Sequence, residues 1–207
     1  MADELSICVL IDYQNVHLTA RDIFAPPGAT ARDTLVDPLA FAETLVEVRA
    51  VRQQINAQKL TRLEAVKVYR GAPSNHREPR LYSASQRQRA MWSRDPRVSV
   101  MYRTLRYPDN WGSAACQERP REKGIDVLVA LDFVDLAQAG TYDILVLATH
   151  DTDLEPALDR ALSARRTRIE TGGWLGGRRL KPQGQNVWHT SLDGASYVAV
   201  RDRRNYT

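Results

Sequence analysis

Four aspartates stand at positions where chemistry can gather. Asp12 ends the apolar run Ile7-Cys8-Val9-Leu10-Ile11, Asp126 opens an amphipathic segment, and Asp151 and Asp153 follow the run from Ile144 to Thr149. Hard cations such as Mg²⁺ take oxygen ligands and keep several waters, so a few converging carboxylates hold one where a phosphate can share it. Phosphodiester chemistry is the first hypothesis for such a cluster. Asn15, three residues beyond Asp12, is placed to hydrogen-bond the acid or a metal-bound water, or to make a turn.

The elements around these acids alternate between strand and helix. After a strand over 5–11, Leu39, Phe41, Leu45, Val48, Val51 and Ile55 recur at helical spacing in a segment reaching about Gln58. A strand is expected at 64–69, stopped by Gly71 and Pro73, then a helix over 83–94, an alternating strand from Val98 to Leu105, and a helix over 125–138. A strand at 143–149, a helix at 153–164 and a late strand at 167–171 complete the pattern. Strands separated by helices pair in parallel through crossovers. The expected fold class is therefore α/β: a three-layer α/β/α sandwich with a central, mainly parallel sheet, in one domain over 1–207.

Ligands of such sheets bind beyond the carboxyl ends of the strands, where strand order reverses. Asp12 and Asp151 are the first acids past the two longest apolar strands and are expected to be neighbours across that crevice. Asp126 and Asp153 each begin a helix, where the dipole stabilises a carboxylate by about 0.3–1 kcal/mol. Asp132 and Asp135 fall on the far side of the helix from Asp126 and read as surface or supporting acids.

Long loops are expected at 22–38 and 106–124, a flexible glycine-rich turn at Gly172 to Gly177, and a frayed basic tail from Arg201. The chain has 207 residues, 43% hydrophobic and 26% charged, enough for one real core. Its apolar runs reach only strand length, well short of the roughly 20 residues that cross a bilayer. Residues 1–6 lack the basic start of a secretory signal, so a cytoplasmic location without membrane contact is expected. Cys8 and Cys116 are too few for a disulfide framework or a thiolate zinc site. The formal charge is only +4, yet ten basic residues between Arg160 and Arg204 face three acids, a distribution that suits a polyanion or simply a solvated surface.

The motifs have a family likeness. Leu10-Ile-Asp-Tyr-Gln-Asn15 resembles the opening strand and Asp-x-x-Asn signature of NYN domains, in the PIN-like ribonuclease superfamily. Lys123-Gly-Ile-Asp126 is similar to that family's Lys-Gly-x-Asp helix start, and the segment from Tyr142 to Leu154 to its second acidic strand end. The likeness covers about 5–171 and leaves 172–207 as a Gly-rich, basic extension. It implies a PIN-like, Rossmann-like fold, hydrolysis of RNA phosphodiesters, and Mg²⁺ or Mn²⁺ as cofactor. It carries catalytic and metal-binding roles onto Asp12, Asp126, Asp151 and Asp153, with Asn15 in support.

Two positions depart from the family pattern. His150 stands where a small residue is expected and Tyr13 where glycine is frequent, and both add bulk at the site. His150 is a candidate for substrate contact, proton donation or a softer metal, against the simpler role of a hydrogen-bonded histidine. Arg70, Arg106 and Lys123 are candidates for RNA backbone contacts, since they adjoin the same crevice edge. Tyr13, Trp111 and Trp174 are candidates to stack on unpaired bases, or else to anchor core and loops.

Rival classes meet specific obstacles. No Gly-x-Gly-x-x-Gly follows the first strand, which disfavours a dinucleotide enzyme, and Gln14 stands where an aspartyl phosphatase needs a second acid. A non-catalytic PIN-like module binding RNA or protein remains the alternative. An antitoxin-like inhibitor or a second copy of the chain are further partners to consider.

Overall fold

From Ile7 to Asp12 every residue of the first strand, β1 (Leu5–Asp12), is buried. A strand covered on both faces needs apolar side chains at every position, which is why this run is continuous rather than alternating. In the computed structural model, which describes residues 4–53 and 61–206, β1 sits at the centre of a six-stranded sheet. The other strands are β2 (Thr61–Ala72), β3 (Val98–Thr104), β4 (Ile144–Ala148), β5 (Arg168–Trp174) and β6 (Trp188–Leu192). Their order is β3-β2-β1-β4-β5-β6, and every neighbouring pair is parallel.

Two cores flank the sheet. Ile7, Val9 and Ile11 meet Phe41, Leu45, Trp92 and Trp174 on one face, while Cys8 and Leu10 meet Val129, Phe133 and Leu158 on the other. The first face is covered by α1 (Tyr13–Phe24), α2 (Pro38–Arg52), α3 (Pro79–Trp92) and α6 (Gly194–Ala199). The second is covered by α4 (Ile125–Ala139) and α5 (Glu155–Ala164). The expected three-layer α/β/α sandwich is what forms. Among the described residues no helix is long and apolar enough to cross a membrane.

Several local expectations change. A whole helix, α1, follows β1 without a loop; its buried residues Tyr13, Val16, His17 and Ala20 keep helical spacing, but no residue caps its start by side chain. The 22–38 excursion shortens accordingly, and Asp37 closes it by accepting hydrogen bonds from the Leu39 and Ala40 amides, with Pro38 beginning α2. The expected end of that helix near Gln58 lies outside the described residues. The turn expected over Gly172–Gly177 is shorter: Gly172 and Gly173 are buried inside β5 and pair with Thr190 and Ser191 of β6, and the chain turns only after Trp174, whose carbonyl accepts from the Gly177 amide at 3.0 Å. β5 is an interior strand, since β6 lies beyond it.

The tail is also docked rather than frayed. Asp202 is 5% exposed and accepts hydrogen bonds from Trp92 Nε1 at 2.9 Å, Tyr206 hydroxyl at 2.6 Å and Arg204 Nε at 2.8 Å. Burial works against its charge, but these donors together hold its carboxyl below the usual carboxylate range.

Candidate active site

Strand order reverses between β1 and β4, which run side by side with Ile11 opposite Ala148. Asp12 ends β1 and Asp151 follows β4 by three residues, so the two acids flank the reversal as the sequence predicts.

Asp12 is 6% exposed. It stands at the N-cap of α1 yet makes no side-chain capping bond. Its Oδ2 accepts instead from the Thr149 hydroxyl at 3.0 Å. Burial pushes its pKa up to about 7; the Thr149 and Asn15 hydrogen bonds oppose this, while the nearby charges of Glu122 and Asp151 reinforce it. A carboxylate so placed favours either a proton or a cation.

Asn15 ties the two strand ends together. Its Oδ1 accepts from the His150 amide at 2.6 Å and lies 3.2 Å from the Thr149 hydroxyl. Thr149 in turn accepts from the Asp151 amide at 3.1 Å, and Asp151 Oδ1 accepts from the Asp153 amide at 3.0 Å. One chain of hydrogen bonds therefore orients Asp12 and Asp151 together. Asp153 is exposed in the short 3₁₀ turn Thr152–Leu154, with its amide, not its carboxylate, engaged in this chain.

A fifth acid, Glu122, joins the group. An antiparallel bridge between Arg106 and Arg121 folds the 106–124 loop back across the sheet end. Glu122 then lies against Gly71, whose amide donates to Glu122 Oε1. A Cβ on Gly71 would stand 2.5 Å from Leu105 Cδ2 and 2.6 Å from Glu122 Cγ, so a side chain there would displace Leu105 and Glu122. Burial raises the Glu122 pKa and Asp126 raises it further, against the Gly71 amide and Arg70. Asp126 is exposed in the first turn of α4, beyond Gly124, whose φ of 74° favours glycine. Glu122 escapes sequence reading because it lies in an aperiodic loop; its one signal is its place just before Lys123-Gly-Ile-Asp126.

The carboxylates offer the oxygen donors a hard cation prefers. Like charge accumulates around Asp12, which a divalent ion would relieve, so the residues fit such an ion in kind. With the side chains as they stand, no group of three or more His, Cys, Asp or Glu among the described residues is close enough to hold a metal. Asp132 lies elsewhere, accepting from the Tyr69 hydroxyl at 2.8 Å.

His150 is not free to act on substrate or metal. It is 7% exposed, its Nδ1 meets the Arg178 carbonyl at 2.8 Å, and its Nε2 accepts from the Trp174 amide at 3.0 Å. Those partners assign the proton to Nδ1 and occupy both nitrogens. Burial lowers its pKa, with the Arg178 carbonyl opposing, so the ring is held neutral. Of the two readings of His150, these contacts fit the hydrogen-bonded, structural one.

The aromatic candidates change role as well. Tyr13 is 1% exposed, its hydroxyl donates to the Val36 carbonyl at 2.9 Å, and its ring centroid lies 4.7 Å from that of Trp92. Trp174 is equally buried and donates from Nε1 to the Val16 carbonyl at 2.7 Å. Neither offers a face to a base. Trp111 is half-buried in its loop, edge-on to Tyr107. Arg70 lies over the Tyr13 ring at 4.8 Å and donates to Gln88, while Arg106 and Lys123 are exposed at the same sheet end.

Comparison with known proteins bears on the family and the fold. A family model described as the NYN domain matches residues 6–179. The fold is similar to the crystal structure of a protein of unknown function from Vibrio parahaemolyticus, with a TM-score of 0.51 and 19% identity over 85% of each chain. A search of curated proteins finds no match.

Proposed function

Because the chain belongs to the NYN domain family, whose members have a PIN-like, nuclease-type fold, we propose that it is a metal-dependent ribonuclease. The observation that carries this reading is Asp12, a buried carboxylate at the strand-order reversal with a pKa near 7 and the charges of Glu122 and Asp151 beside it. Asp12 and Asp151 would hold Mg²⁺ or Mn²⁺, with Glu122, Asp126 and Asp153 completing the oxygen shell directly or through water. Such an ion supplies Lewis acidity toward the phosphate and lowers the pKa of a bound water.

The chain's own residues supply position. Thr149 donates to Asp12 Oδ2, and Asn15 accepts from the amide just before Asp151, which ties together the two strand ends that carry the acids. His150 locks that segment onto the end of β5. Arg70, braced by Tyr13 and Gln88, offers a preorganised guanidinium to a phosphate, and Arg106 and Lys123 extend positive charge along the rim.

The test is cleavage of labelled single-stranded and structured RNA in Mn²⁺, Mg²⁺ or EDTA, with Asp151→Asn alongside. Metal-dependent cutting that is lost in a folded Asp151→Asn protein supports the reading. No cutting in any metal, with RNA still bound, overturns it in favour of a non-catalytic RNA-binding module.

A further inference from the structure

A groove of about 1550 Å³ opens beside the acids, on the side of α1 and α3. Sites for single small ligands typically enclose about 300–1000 Å³, so this furrow suits an extended chain better than a compact molecule. It begins at Gln14, two residues past Asp12, and at Arg70, the residue after the Tyr69 that pairs in register with Asp12. It ends against the docked tail.

The charge of the groove is one-sided. Seven of its lining residues are arginines and two are aspartates. Both aspartates are already engaged: Asp202 by Trp92, Tyr206 and Arg204, and Asp33 by the Thr30 amide and hydroxyl. Arg32, Arg80 and Arg203 form no ion pair among the described residues. Arg201 lines the same wall; its Nη2 donates to the Asp33 carbonyl, while its buried Nε has no hydrogen-bond partner. Unpaired guanidiniums gathered in one furrow repel each other unless an anion takes them.

The wall is built, not incidental. Asp202 donates from its amide to the Leu35 carbonyl at 2.8 Å, Val36 bridges Arg201, and Arg87 Nε donates to the Tyr206 carbonyl at 2.9 Å. These bonds hold residues 201–206 against α3 and the loop before α2. The positive charge of the tail is thereby fixed in the groove.

We propose that this groove is the track along which single-stranded RNA runs to or from the acid cluster, with the docked C-terminal segment as one wall. The proposal rests on the ribonuclease reading for what happens at the acids, but binding along the track does not depend on cleavage. A flexible strand follows a charged furrow, whereas a rigid duplex is read across an outer surface many base pairs long.

The experiment is fluorescence anisotropy of a labelled single-stranded RNA in EDTA across a salt series. It compares the native chain, the groove variant R32Q/R80Q/R203Q, and the control R52Q/R94Q/R160Q, which removes the same charge elsewhere, with cleavage in Mn²⁺ measured in parallel. Each phosphate contact contributes about 0.7 to the salt slope of single-strand binding, so the groove variant should lose about 2 from the slope and at least tenfold in affinity. The control should stay near the native value.

Equal affinity in the groove variant and the native chain, or equal loss in the control, overturns the track even where cleavage persists. Groove-dependent binding without cleavage by the native chain upholds the track and removes the nuclease reading instead. Failure to bind RNA, with poly-glutamate binding in its place, overturns the proposal in favour of an acidic protein partner.

Discussion

The imidazole Nε2 of His150 accepts a hydrogen bond from the backbone N–H of Trp174 at 3.0 Å, fastening the residue before Asp151 to the last residue of β5. The ring fits because Gly173 and Gly177 present no side chains; a Cβ at either position would stand 2.5 or 2.3 Å from His150 Cε1. His150→Ala leaves the Trp174 amide and Arg178 carbonyl unsatisfied around a small void and should lower stability by about 2–4 kcal/mol. Gly177→Ala should cost about 1–3 kcal/mol by overpacking. Because both act on one contact, urea denaturation of the double variant should show a loss smaller than the sum. Additive losses would mean that the ring and the glycine are independent.

Glu122→Gln retains an acceptor for the Gly71 amide but removes a charge that acts on Asp12. The Mn²⁺ concentration giving half-maximal cleavage should rise about tenfold or more, in line with the loss of groups that support a metal site. Calorimetric titration of Mn²⁺ separates weaker metal binding from slower chemistry. Unchanged metal affinity would leave Glu122 as a loop anchor only.

Two buried histidines, His17 and His150, and the half-buried His189 set an acid limit. His17 donates or accepts at Nε2 with the Thr34 hydroxyl at 3.1 Å, and burial, reinforced by Arg70 and Arg21, lowers its pKa to about 4. His189 is lowered to about 4, chiefly by burial, and His150 is lowered in the same direction. A histidine whose folded pKa is below its unfolded value of about 6.5 leaves the unfolded chain binding more protons in between, so stability rises with pH across that window. Stability should fall as pH drops from 6.5 to 4, and His17→Gln should flatten part of that slope in denaturant titrations. An identical slope in the variant would show that His17 does not report on folding.

The ion pair between Arg49 of α2 and Glu170 of β5 is almost fully buried, with bonds of 2.6 and 2.8 Å, and Arg168 joins Glu170 at 2.7 Å. Removing one partner leaves an uncompensated buried charge, so Arg49→Met should cost about 3–5 kcal/mol. The double variant Arg49→Met/Glu170→Leu should recover much of that loss, as thermal unfolding would reveal. A double variant as unstable as the single would place the cost in packing rather than charge.

The layered fold and the positions of Asp12 and Asp151 were legible in the residues alone. Both follow strands buried on two faces, β1 and β4, whose continuous apolar runs are visible in any reading of the chain. Periodicity is a local property, and local properties survive translation from sequence. The missing helix α1 is an instructive exception: Tyr13, Val16, His17 and Ala20 carry the spacing, but the helix starts directly from the strand with no cap or turn residue to announce it.

Contacts between distant segments were decided only by the folded chain. Glu122 reaches the acids because the Arg106–Arg121 bridge returns its loop to Gly71. His150 becomes a clamp because β5 and the turn after it bring Gly173 and Gly177 against its ring, and Tyr13 and Trp174 lose their exposed faces to the core. The tail becomes a groove wall because Asp202 finds Trp92, 110 residues away in sequence. Residue types and spacing determine which chemistry is available; burial and long-range pairing determine which side chains remain free to perform it, because only packing removes water and fixes each polar group to one partner.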